Sequence, residues 1–564
     1  MFLRLDRMKA SDGFLLKGAL LAAVAFLAVF LIRASVDHSV LIPATGGTFS
    51  EGIVGTPRFA NPVLAVTRAD RDLSALVYDG LMRLGEDGTL VPNIAKSVTV
   101  SDDGLTYNVV LRDDVKFHDG QPLTAKDVAF TVGRIEDPLL SSPLRANFDG
   151  VSVEVLGDYE LNFVIAQPYA PFIENLTFGI LPEHIWKDAG SDEFPFSQYN
   201  SEPVGSGPYE VESIARNASG IPETYVLKAN DAYHRGSPKI KTIELHFYPS
   251  EDKLIQAFKK GTVGSVAGVD PDHLAAYQVN SATSHVERIP LPRTFAVFFD
   301  QNKSAALRDP AARKALDAAI DRSALIDAVL GGYGRPLFGP VPEGFGTNAS
   351  ATPHADVVGV DAARDILKAG GWEMNDETHV WEKTIDKVKT PLSFSLSTAN
   401  GGTFEATAEF LKNAWEQLGA AVEVKQFEQT DLAQSVIRPR DYQALLFGMQ
   451  LGRAFDFYSF WHSSQRNDPG LNIALYANLT TDSILADMRT STDTASRNDA
   501  IDAFVAELDK EKPAVFLYSP ELLYIFPNDV TGATFTGLAE PQERWSGVTD
   551  WYIKTDSVWP IFTK

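Results

Sequence analysis

The densest polar chemistry in the chain lies in LRDDVKFHDGQPLTAKDVAF, residues 111–130, where Arg112, Asp113, Asp114, His118 and Asp119 stand close together. Carboxylates around an imidazole are the donor set of a metal-assisted hydrolase, provided several of them converge on one ion. The same residues also read as a strand end, an Asp119-Gly120 turn and a helix start, with the charges turned to water. A second concentration is GRAFDFYSFWH, residues 452–462, which carries Arg453, Phe455, Asp456, Phe457, Tyr458, Phe460, Trp461 and His462. Neither a strand period nor a helix period places all of these rings on one buried face. Aromatic rings with polar tips line wet ligand clefts; a hydrophobic loop packed between domains is the alternative. Elsewhere the chain has no G-x-G-x-x-G, no Walker A segment, no H-E-x-x-H and no G-x-S-x-G. VGSGPY, residues 204–209, lacks the spacing of a phosphate cradle and reads as a structural turn.

Local signals predict the elements that hold these stretches. Thr124 with Asp127 three residues on forms a capping box. The helix it opens turns Val128, Val132 and Ile135 to one side and stops at Pro138. Before it, Asp103-Gly104 turns a hairpin whose second strand alternates through Tyr107, Val109 and Leu111. A further hairpin turns at Gly157-Asp158. Asp309 before Pro310 pairs a cap with a proline at the first helical position. AARDILKAGGW closes a helix at Gly370 and Gly371. TPLSFSLSTAN, TAEFLKNAWEQLGA and AVEVKQF then read as strand, helix ending at Gly419, and strand, a βαβ-like unit that implies a partly parallel sheet. No short repeat or low-complexity linker separates these units, so the domains are expected to interleave along the chain.

The 564 residues exceed one compact core, and two or three domains are expected. A net charge of -24 argues against a nucleic-acid partner. The absence of cysteine excludes disulfides, thiolate chemistry and attachment through a lipidated cysteine. Arg4, Arg7, Lys9 and Lys17 precede or enter the apolar run 14–32. This is the pattern of a signal segment or signal anchor that holds the rest outside the cytoplasm.

Residues 95–128 also resemble a known family motif, with Asp103, Gly104, Tyr107, Leu111, Arg112, Val115, Phe117, His118, Asp119, Gly120, Pro122, Thr124, Ala125, Asp127 and Val128 in place. YDGLMRL, VGSGPY, LRDPAARKALDAAIDRSALI and AARDILKAGGW follow in the matching order. Over about 45–555 the chain resembles the extracytoplasmic solute-binding proteins of peptide-type ABC importers, the class with oligopeptide-, dipeptide- and nickel-binding members. The resemblance implies an α/β, class II periplasmic-binding-protein fold of two hinged lobes plus an extra domain. After the N-terminal anchor or signal segment at 1–44, it implies an extra domain at 81–199. Lobe I would comprise 45–80, 200–290 and the C-terminal return and tail 521–564, and lobe II 291–520.

By the same resemblance, ligand lies between the lobes and nothing is catalysed. In peptide-binding members an aspartate in a lobe II loop pairs with the peptide's α-amino group. The matching register puts Arg453 at that place and Asp456 at a later acidic position. An arginine there would bind a carboxylate or other anion of the ligand, or make a solvent-facing or interlobe salt bridge; a shift of a residue or two would make Asp456 the amine partner. The candidate ligand-binding residues are Arg453, Asp456, Tyr458, Phe455, Trp461 and Arg293, with no catalytic residue, metal or cofactor. The expected partners are a peptide, an ABC permease and, through the N-terminal helix, the membrane, with the protein a monomer. A non-peptide or anionic ligand, a sensing role, and a metallohydrolase built around His118 are the alternatives.

Overall fold

The computed structural model describes residues 17–27, 29, 40–342, 345, 359–491 and 493–558. Residues 17–27 are helical and exposed. The remainder of the predicted span 14–32, apart from residue 29, lies outside the described residues. Among the described residues no helix is long and apolar enough to cross a membrane.

Period-two alternation builds an antiparallel sheet in the order Ala95–Val100, Thr106–Leu111, Glu160–Ile165, Val151–Gly157. Its strand Thr106–Leu111 buries Tyr107, Val109 and Leu111 on one face. The expected capping box opens the helix Ala125–Glu136: the Thr124 N–H and hydroxyl donate to Asp127 Oδ2 at 2.8 and 3.0 Å. Asp127 Oδ1 accepts from the Glu183 N–H at 2.8 Å, so the cap also pins a later segment.

A second sheet pairs Thr48–Val54 in parallel with Thr242–Tyr248, followed by the antiparallel strands Pro222–Ala229 and Tyr209–Arg216. One hydrophobic core runs through both sheets, from Phe49 through Tyr107 and Phe163 to Trp551. The 204–209 turn is a close approach. A Cβ on Gly205 would lie 2.0 Å from the Val77 carbonyl oxygen, and one on Gly207 would lie 2.5 Å from the Val77 carbonyl carbon. Glycine is needed there because backbone meets backbone.

The other lobe is built on the strands Arg293–Phe299, Ala444–Gln450, Ser393–Ala399 and Ala421–Phe427. Ser393–Ala399 and Ala421–Phe427 are parallel and joined by the helix Gly402–Leu418, as the βαβ pattern implies. Asp309 caps its helix by accepting from the Ala311 and Ala312 N–H groups at 2.9 and 3.3 Å.

The lobes are joined where the chain passes twice between them. Ser284–Pro290 and Arg293–Phe299 pair with successive halves of one long strand, Ala514–Pro527. The Ser519 hydroxyl donates to the Leu291 carbonyl at 3.0 Å at the crossing. Two short connections of this kind leave the lobes free to rotate about one axis.

Candidate functional site

The strand Ala444–Gln450 ends on the second lobe and delivers the loop 452–457 toward the first. Arg453 Nη2 donates to Glu543 Oε2 at 2.8 Å and to the Gly537 carbonyl at 3.0 Å. Glu543 is preset, because its Oε2 also accepts from the Ala539 and Glu540 N–H groups at 2.6 and 3.1 Å. Beside it Gln450 donates to Glu540 Oε1 at 2.5 Å, and Arg71 lies 3.5 Å from Glu540 Oε2. Glu174, from the antiparallel-sheet region, meets the same loop: a Cβ on Gly452 would sit 2.8 Å from its Oε2. Burial pushes the Glu174 carboxyl up to about 7, aided by Glu543 and opposed by Arg453 and Arg497.

Asp456 and Tyr458 form a second contact. Arg489 Nη2 is 3.1 Å from Asp456 Oδ2. Its guanidinium lies between two rings, 4.5 Å from the centroid of Tyr458 and 4.9 Å from that of Tyr169. Tyr169 belongs to the antiparallel-sheet region, so this cation–π sandwich crosses between the parts of the molecule. Arg497 adds a 2.6 Å hydrogen bond to the Ala454 carbonyl.

The remaining candidates lie elsewhere. Trp461 is fully buried among Phe298, Tyr476, Phe504 and Phe516 in the core of the second lobe, not on its cleft face. Phe455 is likewise buried, with its ring stacked on Phe457 and its backbone at φ +51°. The aromatic run lacks a single period because this left-handed residue breaks the chain direction inside it. Arg293 opens the hinge strand, where burial lowers its pKa and the charge of Glu540 opposes that shift. Arg453, Asp456 and Tyr458 thus lie in two neighbouring contacts between the second lobe and the rest of the molecule, whereas Phe455 and Trp461 are buried behind them. Nothing in the sequence marks Glu174, Glu543, Tyr169 and Arg489 as partners of the 452–458 loop, since each lies far from it along the chain.

The first polar concentration disperses. His118 Nδ1 accepts from the Gly205 N–H at 3.3 Å, which leaves Nε2 to donate to the Gly207 carbonyl at 3.0 Å. Asp119 turns to His184 at 2.7 Å, and Arg112 holds Asp114 through two bonds of 2.9 and 2.7 Å. These side chains diverge, and the imidazole has no nitrogen left for an ion. Among the described residues no group of three or more His, Asp or Glu could hold a metal.

The chain is 25% identical over 557 residues to the oligopeptide-binding protein AppA of Bacillus subtilis (strain 168), covering 95% of this chain and 98% of that protein. It is 26% identical over 401 residues to the nickel-binding periplasmic protein of Escherichia coli (strain K12), covering 69% and 72%. Among solved structures, the ABC transporter substrate-binding protein CtaP from Listeria monocytogenes superposes with a TM-score of 0.73 at 24% identity, covering 90% of this chain and 99% of that one. AppA from Bacillus subtilis in complex with a nonapeptide gives 0.65 at 24% identity, covering 91% and 100%. These likenesses identify the two-lobed periplasmic-binding-protein fold. The model of the bacterial extracellular solute-binding proteins, family 5 middle region, matches residues 89–470, and the chain belongs to that family.

Proposed function

We propose that this chain is the extracytoplasmic binding component of an ABC importer, that it holds peptides between its lobes, and that it hands them to a permease. The observation that carries the reading is the similarity to an oligopeptide-binding protein along nearly the full length of both chains. The hinge at Ala514–Pro527 and the charged interlobe contact support it. Lobe I comprises 45–80, 200–290 and 521–564, lobe II 291–520 and the extra domain 81–199. Arg453, Asp456, Tyr458 and Arg293 meet the ligand from the second lobe and hinge, and the ion pairs they or their neighbours now make are exchanged for ligand contacts. The N-terminal run 14–32 tethers a monomer to the outer face of the membrane. The protein binds and delivers, and performs no chemistry on its cargo.

The test is a thermal-shift screen with peptides of two to nine residues and varied charge. A ligand that binds only the folded form raises Tm in proportion to log concentration. Saturable shifts with some peptides are expected; no shift with any peptide would overturn the reading.

A further inference from the structure

An arginine side chain keeps its charge at any working pH and presents a fixed fork of N–H donors. The arginines around the interlobe contact have acceptors for those donors. Arg453 has Glu543 and the Gly537 carbonyl, Arg489 has Asp456, and Arg497 has the Ala454 carbonyl. On the first lobe Arg71 has Glu540 and Arg68 has Asp72, each at 3.5 Å. Arg293 is the exception. Among the described residues its guanidinium makes no hydrogen bond and no ion pair. It is half-buried, and its nitrogens are not sealed from solvent, so a ligand can reach them.

The place of this open fork is informative. Arg293 directly follows the crossing at 291–292 and is the Cα partner of Gln450 on the neighbouring antiparallel strand. Residues directly opposed in such a pair project from one face of the sheet. The Gln450 side chain reaches the first lobe, where it donates to Glu540 Oε1 at 2.5 Å. Arg293 thus stands at the same hinge-side end of the cleft, where the charges of Glu540 and Arg68 act on it. The side chains of Arg71 and Glu540 are 39% and 34% exposed and line a cavity of about 380 Å³, so this end opens on space and not on packed core.

The charges here do not balance. Arg68 shares Asp72 with Arg544, which also holds Glu51, so these two cations meet two carboxylates. Arg71 and Arg293 are left with Glu540 alone. That carboxylate is already supplied with donors by Gln450, by Arg71 and by the Glu543 N–H. Burial works against the Arg293 cation and lowers its pKa. A partly desolvated cation without an anion is unfavourable, and a carboxylate that accepts both arms of the fork relieves it.

We propose that the hinge end of the cleft is the anion subsite of the peptide site, where Arg293, beside Arg71 and Gln450, takes a carboxylate of the ligand, from its chain terminus or from an acidic side chain. This rests on the peptide reading. It moves the anion contact from Arg453, whose donors have acceptors, to the hinge strand. A residue beside the hinge axis moves little when the lobes rotate, so this contact forms before closure and sets how the peptide lies in the cleft.

The test is calorimetry on the full chain with three kinds of peptide: pentaalanine as the free acid, its C-terminal amide, and amides carrying glutamate or glutamine at each position in turn. If the terminus supplies the carboxylate, the free acid binds about tenfold tighter than the amide, the scale of one charge-assisted hydrogen-bonded pair. If a side chain supplies it, glutamate at one position exceeds glutamine by the same factor. In either case Arg293→Gln should erase the preference and leave the affinity of the uncharged peptide unchanged. Arg293→Lys, which keeps the charge without the fork, should retain part of it. Arg293 bonds to nothing in the protein through its side chain, so both variants are compatible with folding, and a melt checks this. If peptides bind without either charge preference, or the preference survives Arg293→Gln, Arg293 is a solvated cation only, and the subsite is overturned while the peptide reading stands. An equal loss for charged and uncharged peptides in Arg293→Gln would overturn it too, since the arginine would then act on the fold. If no peptide binds at all, both fall together.

Discussion

His118 accepts at Nδ1 and donates from Nε2, so it serves the 205–207 backbone only as the neutral imidazole. Burial lowers its pKa below the ordinary 6.5. A depressed histidine pKa means that the unfolded chain takes the proton first. The stability His118 contributes is therefore complete above about pH 6.5 and is lost as pH falls below it. His118→Ala should cost ~1–2 kcal/mol at pH 8, and denaturant titrations should show that gap narrowing by pH 5. EDTA should leave Tm unchanged, whereas a structural metal at this place would make it fall. The residue types here were readable from sequence as either a metal site or a scaffold, and only the distances separate the two. Arg453 is the opposite case. Its register marked it as an anion partner, but Glu543, ninety residues on, carries no local sign of the pairing.

Elements whose ends are set by neighbouring residues were readable; those set by distant contacts were not. The Thr124 and Asp309 caps and the Asp103-Gly104 hairpin depend on groups within a few residues, and each lies where the pattern put it. The strand Ala514–Pro527 is apolar except at Ser519-Pro520-Glu521, and that short break does not by itself say that the two halves serve different lobes; the boundary expected at 520/521 rests on the family resemblance. The C-terminal segment Pro541–Gly547 has a local start, a Glu540–Glu543 capping box with Pro541 in its first turn, but distant charges fix where it docks. Arg544 donates to Glu51 on Thr48–Val54 and to Asp72 on Arg68–Val77, both at 2.5 Å, with all three side chains fully buried. Burial works against the Arg544 charge, and Asp72 and Glu51 outweigh it, raising its pKa. Arg544→Met should leave Asp72 with only Arg68 at 3.5 Å and Glu51 with only hydroxyl donors, Tyr524 at 2.6 Å and Ser265 at 3.4 Å, and cost ~3–5 kcal/mol in urea unfolding. Adding Glu51→Gln and Asp72→Asn should recover part of that loss. If the triple variant is no more stable than the single one, the segment is held by its packing and not by this ion cluster.

Glu174 lies against Arg453, Arg497, Glu543 and the Ala454 backbone, and these surfaces come from three separate stretches of chain. Its carboxyl is raised to about 7 in this arrangement, chiefly by burial. An open form returns the loop 452–457 to solvent and relieves part of that burial, so Glu174 moves back toward the ordinary carboxylate range near 4.3. A group whose pKa is higher in the closed form favours closure while it is protonated. That contribution is complete below the open-form pKa and is lost as pH rises through about 7. Closure should therefore be favoured at pH 5 and weakened at pH 8. Donor and acceptor dyes on exposed sites of the two lobes would report this as a fall in transfer efficiency over that interval. In Glu174→Gln, which stays neutral and keeps the shape, the efficiency should remain near its low-pH value throughout. A profile that is flat in the wild type, or equally steep in Glu174→Gln, would remove Glu174 from control of the hinge. The equilibrium between open and closed forms would then rest on the Arg453–Glu543 pair and the Tyr169–Arg489–Tyr458 sandwich alone.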